Sequence, residues 1–101
     1  MLPEIPELRD SIDRIDRQIV ELLAERLRLV MQVGEVKRRR GLNAYDPGRE
    51  RDLLDRVAHA APEPLEPAMA QRIFECIIEE SRNLEKRHMS ALPEADEPSD
   101  G

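Results

Sequence analysis

Apolar residues recur every three or four positions from Pro6 to about Arg40, which predicts one long amphipathic helix. Pro6 suits the first helical turn, where a missing N–H costs nothing, and the basic run 37–40 suits the last turn, where exposed carbonyl groups favour cations. Gly41 is expected to end this helix. The apolar stripe consists of Leu8, Ile12, Ile15, Ile19, Leu22, Leu23, Val30, Val33 and Val36.

Two further helices are predicted after a brief connection. Asp46 is a capping residue followed by Pro47, so a second helix is expected from Pro47 to about Ala60. Prolines then interrupt the chain, and Pro67 opens a third helix that should fade near His88. The side chains expected to face inward are Leu53, Leu54, Val57 and Ala58 on the second helix and Ala70, Ile73, Phe74, Ile77, Ile78 and Leu84 on the third.

The predicted fold class is all-α, with one very long, one short and one medium helix per chain. A helix of about 34 residues is about 50 Å long, whereas a compact domain of about 100 residues has a radius of gyration of about 13 Å. The chain cannot cover its own first helix, so we expect an intertwined homodimer. An extended antiparallel coiled coil explains the length equally well. Residues 1–89 should form the helical domain, and residues 90–101 a disordered acidic tail.

Composition and charge narrow the possible functions. Of the 101 residues, 40% are hydrophobic and only 2% are aromatic, so the core must be aliphatic, which favours helices over a sheet. The formal net charge of −6 argues against nucleic-acid binding. No apolar run approaches the roughly 18 residues that a membrane span needs. The single Cys76 cannot form an intramolecular disulfide, and we expect the protein in the reducing cytoplasm.

Ionisable side chains on the apolar stripes are the main functional signal. Arg26 and Lys37 lie on the core-facing side of the first helix, and Arg9 lies at the edge of the stripe, where it could reach a neighbouring chain. Buried charges need partners, so these groups could simply neutralise one another. A cluster in which cations outnumber acids would instead hold a small dianion. The polar residues that join this cluster from the rest of the chain are Asp46, Arg49, Glu50, Ser81 and Glu85.

With these residues in place, the chain resembles the helical class of chorismate mutases, whose mutase domains occur alone or fused to prephenate dehydratase or prephenate dehydrogenase. The resemblance covers residues 7 to about 88. It implies the rearrangement of chorismate to prephenate in phenylalanine and tyrosine biosynthesis, without metal, cofactor or covalent intermediate. Its landmarks are ELRDSIDRIDRQIVELLAER (7–26), VGEVK (33–37), YDPGRERDLL (45–54) and IFECIIEES (73–81).

The resemblance also implies which residues bind the substrate carboxylates and assist the reaction. Arg26 and Lys37 of one subunit, with Arg9 of the other, would bind the two carboxylates, for which the planar guanidinium is well suited. Lys37 would also donate a hydrogen bond to the ether oxygen. Glu85 stands where the best-known bacterial members have a glutamine and some relatives a glutamate. Because that side chain donates to the ether oxygen, Glu85 would have to be protonated.

The remaining matched residues concern the ring of the substrate. By the same resemblance, Asp46 and Glu50 would hold the ring hydroxyl, Ser81 would contact the substrate, and Arg49 would support the pocket. Tyr45 replaces an arginine of those bacterial members, and the sequence assigns it no role.

Two kinds of alternative stay open at the level of sequence. An isochorismate pyruvate-lyase or a 4-amino-4-deoxychorismate mutase shares the scaffold, and the acids at positions 46 and 50 would accept from a hydroxyl or an amine. A non-enzymatic helical dimerisation module could use the basic run 37–40 as an anion-binding or nucleic-acid-binding patch. That run lacks interleaved aromatic residues and suits a helix end. His59 and His88 are too isolated to suggest a metal site.

Overall fold

The computed structural model describes residues 1–93 and consists of three α-helices. Helix α1 spans Ile5–Arg40, α2 spans Pro47–Ala60 and α3 spans Pro67–Ala91. No strand occurs in this described part of the chain. The predicted all-α class, with one very long, one short and one medium helix, is therefore confirmed.

The ends of α1 and α2 follow from the local sequence. Helix α1 has Pro6 in its first turn and ends at Gly41, whose φ of 69° lies in the left-handed region that glycine adopts at little cost. The Gly41 N–H donates to the carbonyl of Arg38. Helix α2 starts after Asp46, whose carboxylate accepts a hydrogen bond from the N–H of Arg49 at 3.1 Å. Asp46 is therefore the capping residue that the sequence predicted.

Helix α3 is longer than the sequence indicated. It continues to Ala91, whereas we expected it to fade near His88 and the tail to begin at Ser90. Nε2 of His88 lies 2.9 Å from Oε2 of Glu35 on α1, and this contact fixes the last turns of α3 against the longer helix. Residues 94–101, which contain the four acids of the predicted tail, lie outside the described residues.

Helix α3 is the centre of the fold, because it packs against both α1 and α2. Its buried residues are Ala70, Ile78, Ser81 and Glu85, so two of the four buried side chains of α3 are polar. The predicted inward side chains of α2 are half-buried, as expected. Ile73 was expected to face inward, but it is 49% exposed because neither α1 nor α2 covers its side of α3.

The amino-terminal half of α1 is uncovered along its whole length. All residues up to position 22 are exposed. The Cα radius of gyration is 18.4 Å, compared with about 13 Å for a compact domain of this size. The first half of the apolar stripe thus has no cover within the described chain, as the length of the helix had suggested. Its exposed members within residues 1–22 are Leu8, Ile12, Ile15, Ile19 and Leu22.

Gly34 marks a close approach between α1 and α3. It is the buried residue of α1, and a Cβ atom at this position would lie 3.1 Å from Cγ of Glu85 and 3.2 Å from Cγ of Met89. Both distances are shorter than ordinary van der Waals contact. Because Gly34 has no side chain, the polar end of α3 can lie directly against α1.

Replacing Gly34 with leucine should force α1 and α3 apart. We expect Gly34→Leu to lower the free energy of unfolding by about 1–3 kcal/mol, the usual cost of overpacking, although leucine is the better helix former. Gly48→Leu is the matched control, because Gly48 is exposed and, within residues 1–93, a Cβ there would approach only Oδ1 of Asp46, at 3.8 Å. Urea denaturation at one protein concentration compares the two. A Gly34→Leu variant as stable as Gly48→Leu would contradict the close approach.

Candidate active site

A cavity of about 310 Å³ lies between the three helices, a volume that suits a small molecule. Every site residue predicted from the sequence lines it, with the exception of Arg9. Its apolar wall consists of Leu29, Val30, Val33, Ala44, Leu53 and Ile78. Its polar and charged lining consists of Arg26, Lys37, Asp46, Arg49, Glu50, Ser81, Arg82 and Glu85.

Arg26 is held at the cavity wall by a serine rather than by an acid. Its Nη1 donates to Oγ of Ser81 at 2.7 Å, and that hydroxyl donates in turn to the carbonyl of Ile77 at 2.6 Å. Burial lowers the pKa of Arg26, and the positive charge of Arg49 lowers it further. Within residues 1–93 neither arginine forms an ion pair with an acid. Two guanidinium groups are therefore available to an anion in the cavity.

Lys37 and Glu85 form a buried ion pair across α1 and α3. Nζ of Lys37 lies 2.9 Å from Oε2 of Glu85, and the side chains are only 18% and 9% exposed. The hydrogen bond of Lys37 is directed to the carbonyl of Ala44, at 2.9 Å. Oε2 of Glu85 takes part in no aligned hydrogen bond with any group of the described chain. Its 2.9 Å contact with Nζ of Lys37 is therefore an ion pair that lacks aligned hydrogen-bond geometry.

Glu50 is paired with Arg82, a residue that our sequence analysis missed. Nε and Nη2 of Arg82 donate to Oε2 and Oε1 of Glu50, each at 3.1 Å. The guanidinium carbon lies 5.1 Å from the ring centroid of Tyr45, which gives this tyrosine a contact where the sequence assigned it no role. The hydrogen bond to Glu50 raises the pKa of Arg82. A signal was present, because Arg82 follows the inward-facing Ile78 by one helical turn.

Arg9 does not reach the cavity of its own chain. It is exposed and lies 17 positions before Arg26 on the same helix, which corresponds to about 25 Å along the helix axis. Its predicted contribution to the site of a second subunit stays a prediction.

The charges around the cavity favour an anion. Four cationic side chains face three acidic ones, so the described chain supplies a surplus of one positive charge. Mutual neutralisation within the predicted set occurs for Lys37 with Glu85, whereas Glu50 pairs with Arg82 and Arg26 pairs with no acid. The cluster is therefore more than a set of self-cancelling ion pairs.

Residues 1–93 contain neither a cluster of metal-ligating side chains nor a helix suited to cross a membrane. No three His, Cys, Asp or Glu side chains come together there as a metal site would require. Nδ1 of His59 lies 2.8 Å from the carbonyl of Asp55 in its own helix, and His88 contacts Glu35. In the same range no helix combines the length and the apolar character needed to cross a membrane.

The fold and the cavity define an all-helical protein with a cavity between its helices that is lined by more cationic than acidic side chains. Residues 8–86 match the family described as chorismate mutase type II. Because the match spans most of the chain, the chain belongs to the chorismate mutase type II family. The resemblance that the sequence motifs indicated is thereby confirmed.

Two curated relatives illustrate how mutase domains of this family occur. The chorismate mutase of Methanocaldococcus jannaschii is 33% identical over 90 residues, which cover 88% of this chain and 91% of that protein. The bifunctional chorismate mutase/prephenate dehydratase of Aquifex aeolicus is 34% identical over 90 residues, which cover 85% of this chain and 25% of that protein. The chain thus spans almost the whole length of the first relative and a quarter of the second.

Solved structures show the same fold. The form II structure of the chorismate mutase from Thermus thermophilus superimposes with a TM-score of 0.80 at 37% identity, covering 82% of this chain and 94% of that one. The chorismate mutase from Helicobacter pylori, solved in complex with prephenate, gives a TM-score of 0.81 at 22% identity, with 88% and 97% covered. At that lower identity the second comparison concerns the fold alone.

Proposed function

We propose that this protein is a chorismate mutase that rearranges chorismate to prephenate in aromatic amino acid biosynthesis. The observation that carries the proposal is the surplus of cations around a cavity of about 310 Å³ in a chain of the type II family. Chorismate is a small molecule with two carboxylates. A partly buried site with unpaired guanidinium groups is suited to bind it.

The reaction requires positioning of the substrate and stabilisation of developing charge rather than a nucleophile. In the intramolecular [3,3] rearrangement a C–O bond breaks while a C–C bond forms through a chair-like transition state, and negative charge grows on the ether oxygen. An enzyme accelerates such a step by holding the enolpyruvyl side chain over the ring and by directing fixed donors at that oxygen. We therefore assign the lining residues to binding and electrostatic roles.

Arg26, Lys37 and Glu85 are the proposed catalytic residues. The hydrogen bond to Ser81 supports a fixed orientation of Arg26 toward a substrate carboxylate. Lys37 lies beside Glu85, so the two side chains could approach the same ether oxygen. Glu85 would donate to that oxygen in its protonated form, so a bound substrate would replace the ion pair with Lys37 by hydrogen bonds from both side chains to the ether oxygen.

Substrate binding is proposed to involve four further residues of the same subunit. Asp46 and Glu50 would accept from the ring hydroxyl, since a carboxylate oxygen that already accepts one hydrogen bond retains capacity for another. Ser81 would contact the substrate while it holds Arg26, and Arg49 would add positive charge beside the carboxylates. The common lining of one cavity supports this grouping.

We further propose that the active form is a homodimer in which Arg9 of the partner subunit completes the site. The exposed apolar stripe in the first 22 residues supports a second copy as its cover, because exposing so much aliphatic surface is unfavourable in water. A two-fold arrangement is the simplest closed way to bury the same stripe on both chains.

The cytoplasm is the proposed location. Cys76 is a free and exposed thiol. Thiols stay reduced in the cytoplasm, whereas oxidising compartments promote disulfides.

The direct test of the proposed function is to follow the loss of chorismate with the purified protein and to identify the product. We expect prephenate, and Arg26→Ala and Lys37→Ala should each lower kcat/KM by about 100-fold or more, because each removes a fixed donor to developing or substrate charge. Arg56→Ala is the control, since Arg56 is exposed and does not line the cavity. Circular dichroism should show all variants folded. Near-normal kcat/KM in both cavity variants would show that the proposed site is wrong.

Mixing two inactive variants tests whether Arg9 acts across the dimer. Arg9→Ala and Arg26→Ala chains refolded together should form hybrid dimers with one intact site. Random pairing then predicts recovery of about a quarter of the wild-type activity from two nearly inactive parents. If Arg9 served its own chain, every site would lack one arginine and mixing would restore nothing.

The pH dependence of turnover tests the role of Glu85. If Glu85 donates to the ether oxygen, only its protonated form is active, so kcat should fall as the pH rises. Glu85→Gln retains a donor at every pH and should flatten this decline. A pH–rate profile that the substitution leaves unchanged would contradict the proposed role.

A further inference from the structure

Arg82 is a charged residue at the cavity that the proposed mechanism does not use. It lies on α3 directly after Ser81, and it binds both carboxylate oxygens of Glu50 on α2 at 3.1 Å. Its guanidinium group lies over the ring of Tyr45, at 5.1 Å from the centroid. A planar guanidinium with a bidentate carboxylate and an aromatic neighbour has few other orientations open to it. Arg82 therefore fixes where the Glu50 carboxylate lies.

Arg82 also decides the balance of charge around the cavity. Without it, three cations would face three acids; with it, the cations exceed the acids by one. Its charge cancels that of Glu50. The Glu50 carboxylate therefore does not compete with a bound anion for Arg26 and Arg49. A bound dianion would gain from Arg82 without touching it, since Coulomb interactions in a partly buried site extend beyond direct contact.

The ion pair between Arg82 and Glu50 also affects which ring substituent of the substrate can donate a hydrogen bond to Glu50. A carboxylate without a cationic partner attracts a protonated amine more strongly than a neutral hydroxyl. A carboxylate bound by a guanidinium retains lone pairs for a hydroxyl donor, but the adjacent positive charge repels an ammonium group.

We propose that Arg82 is a positioning residue for Glu50 and a determinant of substrate specificity, an inference that rests on the proposed function. It orients and neutralises the Glu50 carboxylate so that the cavity selects a ring hydroxyl over a ring amine. Chorismate is thereby preferred over 4-amino-4-deoxychorismate.

A merely structural role for Arg82 predicts something different. The Arg82 and Glu50 side chains are 33% and 22% exposed, so their ion pair could serve only to join α3 to α2. In that case, its loss would alter stability, and activity towards both substrates would change by the same factor. The ratio of the two kcat/KM values separates the roles, because stability cancels from it.

The experiment measures kcat/KM for chorismate and for 4-amino-4-deoxychorismate in wild-type protein, Arg82→Leu and Arg82→Lys. We expect Arg82→Leu to lower the chorismate to amino-substrate ratio about tenfold, because it leaves Glu50 as an unpaired carboxylate. Arg82→Lys keeps the charge and should keep most of the ratio, with a lower kcat because lysine cannot form the planar fork. Arg56→Leu is the matched control: it removes an exposed arginine that lies 3.7 Å from Asp52, and the ratio should not change.

A wild-type ratio in folded Arg82→Leu would overturn the proposal, and so would an equal loss of ratio in Arg56→Leu. If Arg82→Leu does not fold, Arg82→Gln against Arg82→Lys decides, since only glutamine loses the charge; equal ratios in these two variants would likewise overturn it. Failure of the proposed function is recognised separately: wild-type protein would then leave chorismate unchanged. An active wild-type enzyme with an unaltered ratio in the Arg82 variants refutes the specificity role alone.

Discussion

The structure depends on the burial of charge where α1 meets α3. Lys37 and Glu85 lie 2.9 Å apart in this contact, with little exposure to water. Removing either partner would leave an uncompensated buried charge, which usually costs several kcal/mol. A core built for stability alone would place aliphatic side chains here. The glycine at position 34 brings the two helices close enough for the pair to form, so the local sequence favours a polar interior at this point.

A second constraint is the mismatch between the length of α1 and the size of the chain. Helix α3 supports the half of α1 that carries Arg26 and Lys37, whereas the other half has no cover within the chain. In the proposed dimer the two halves serve different sites: the covered half lines the cavity of its own subunit, and the uncovered half brings Arg9 to the cavity of the second. Assembly and substrate binding would then depend on the same helix.

The sequence predicted the helices well, because their signals are local. Pro47 and the capping Asp46 determine the start of α2, and Gly41 determines the end of α1. The end of α3 was predicted too early, because it depends on a contact between His88 and Glu35 that are 53 positions apart. Such a contact leaves no periodic or capping signal in the sequence.

The cavity residues were predicted in part from helical periodicity and in part from family resemblance. Periodicity placed Arg26, Lys37 and Glu85 on inward faces, and the structure brings them to one cavity. The partner of each charge could not be predicted in the same way. Glu50 was recognised as inward-pointing and in need of compensation, but the choice of Arg82 over other cations depends on how α2 lies against α3. Resemblance could not supply it, because none of the matched motifs included position 82.

The central claim is that a partly buried surplus of cations recognises a doubly negative small molecule. Calorimetric titration with a dicarboxylate transition-state analogue, compared with its monomethyl ester, tests this claim most directly. The account predicts one analogue bound per chain and an affinity at least about 100-fold weaker for the ester, because each buried carboxylate–guanidinium contact contributes substantially to binding. Equal affinity for the two compounds, or no binding of either, would contradict it.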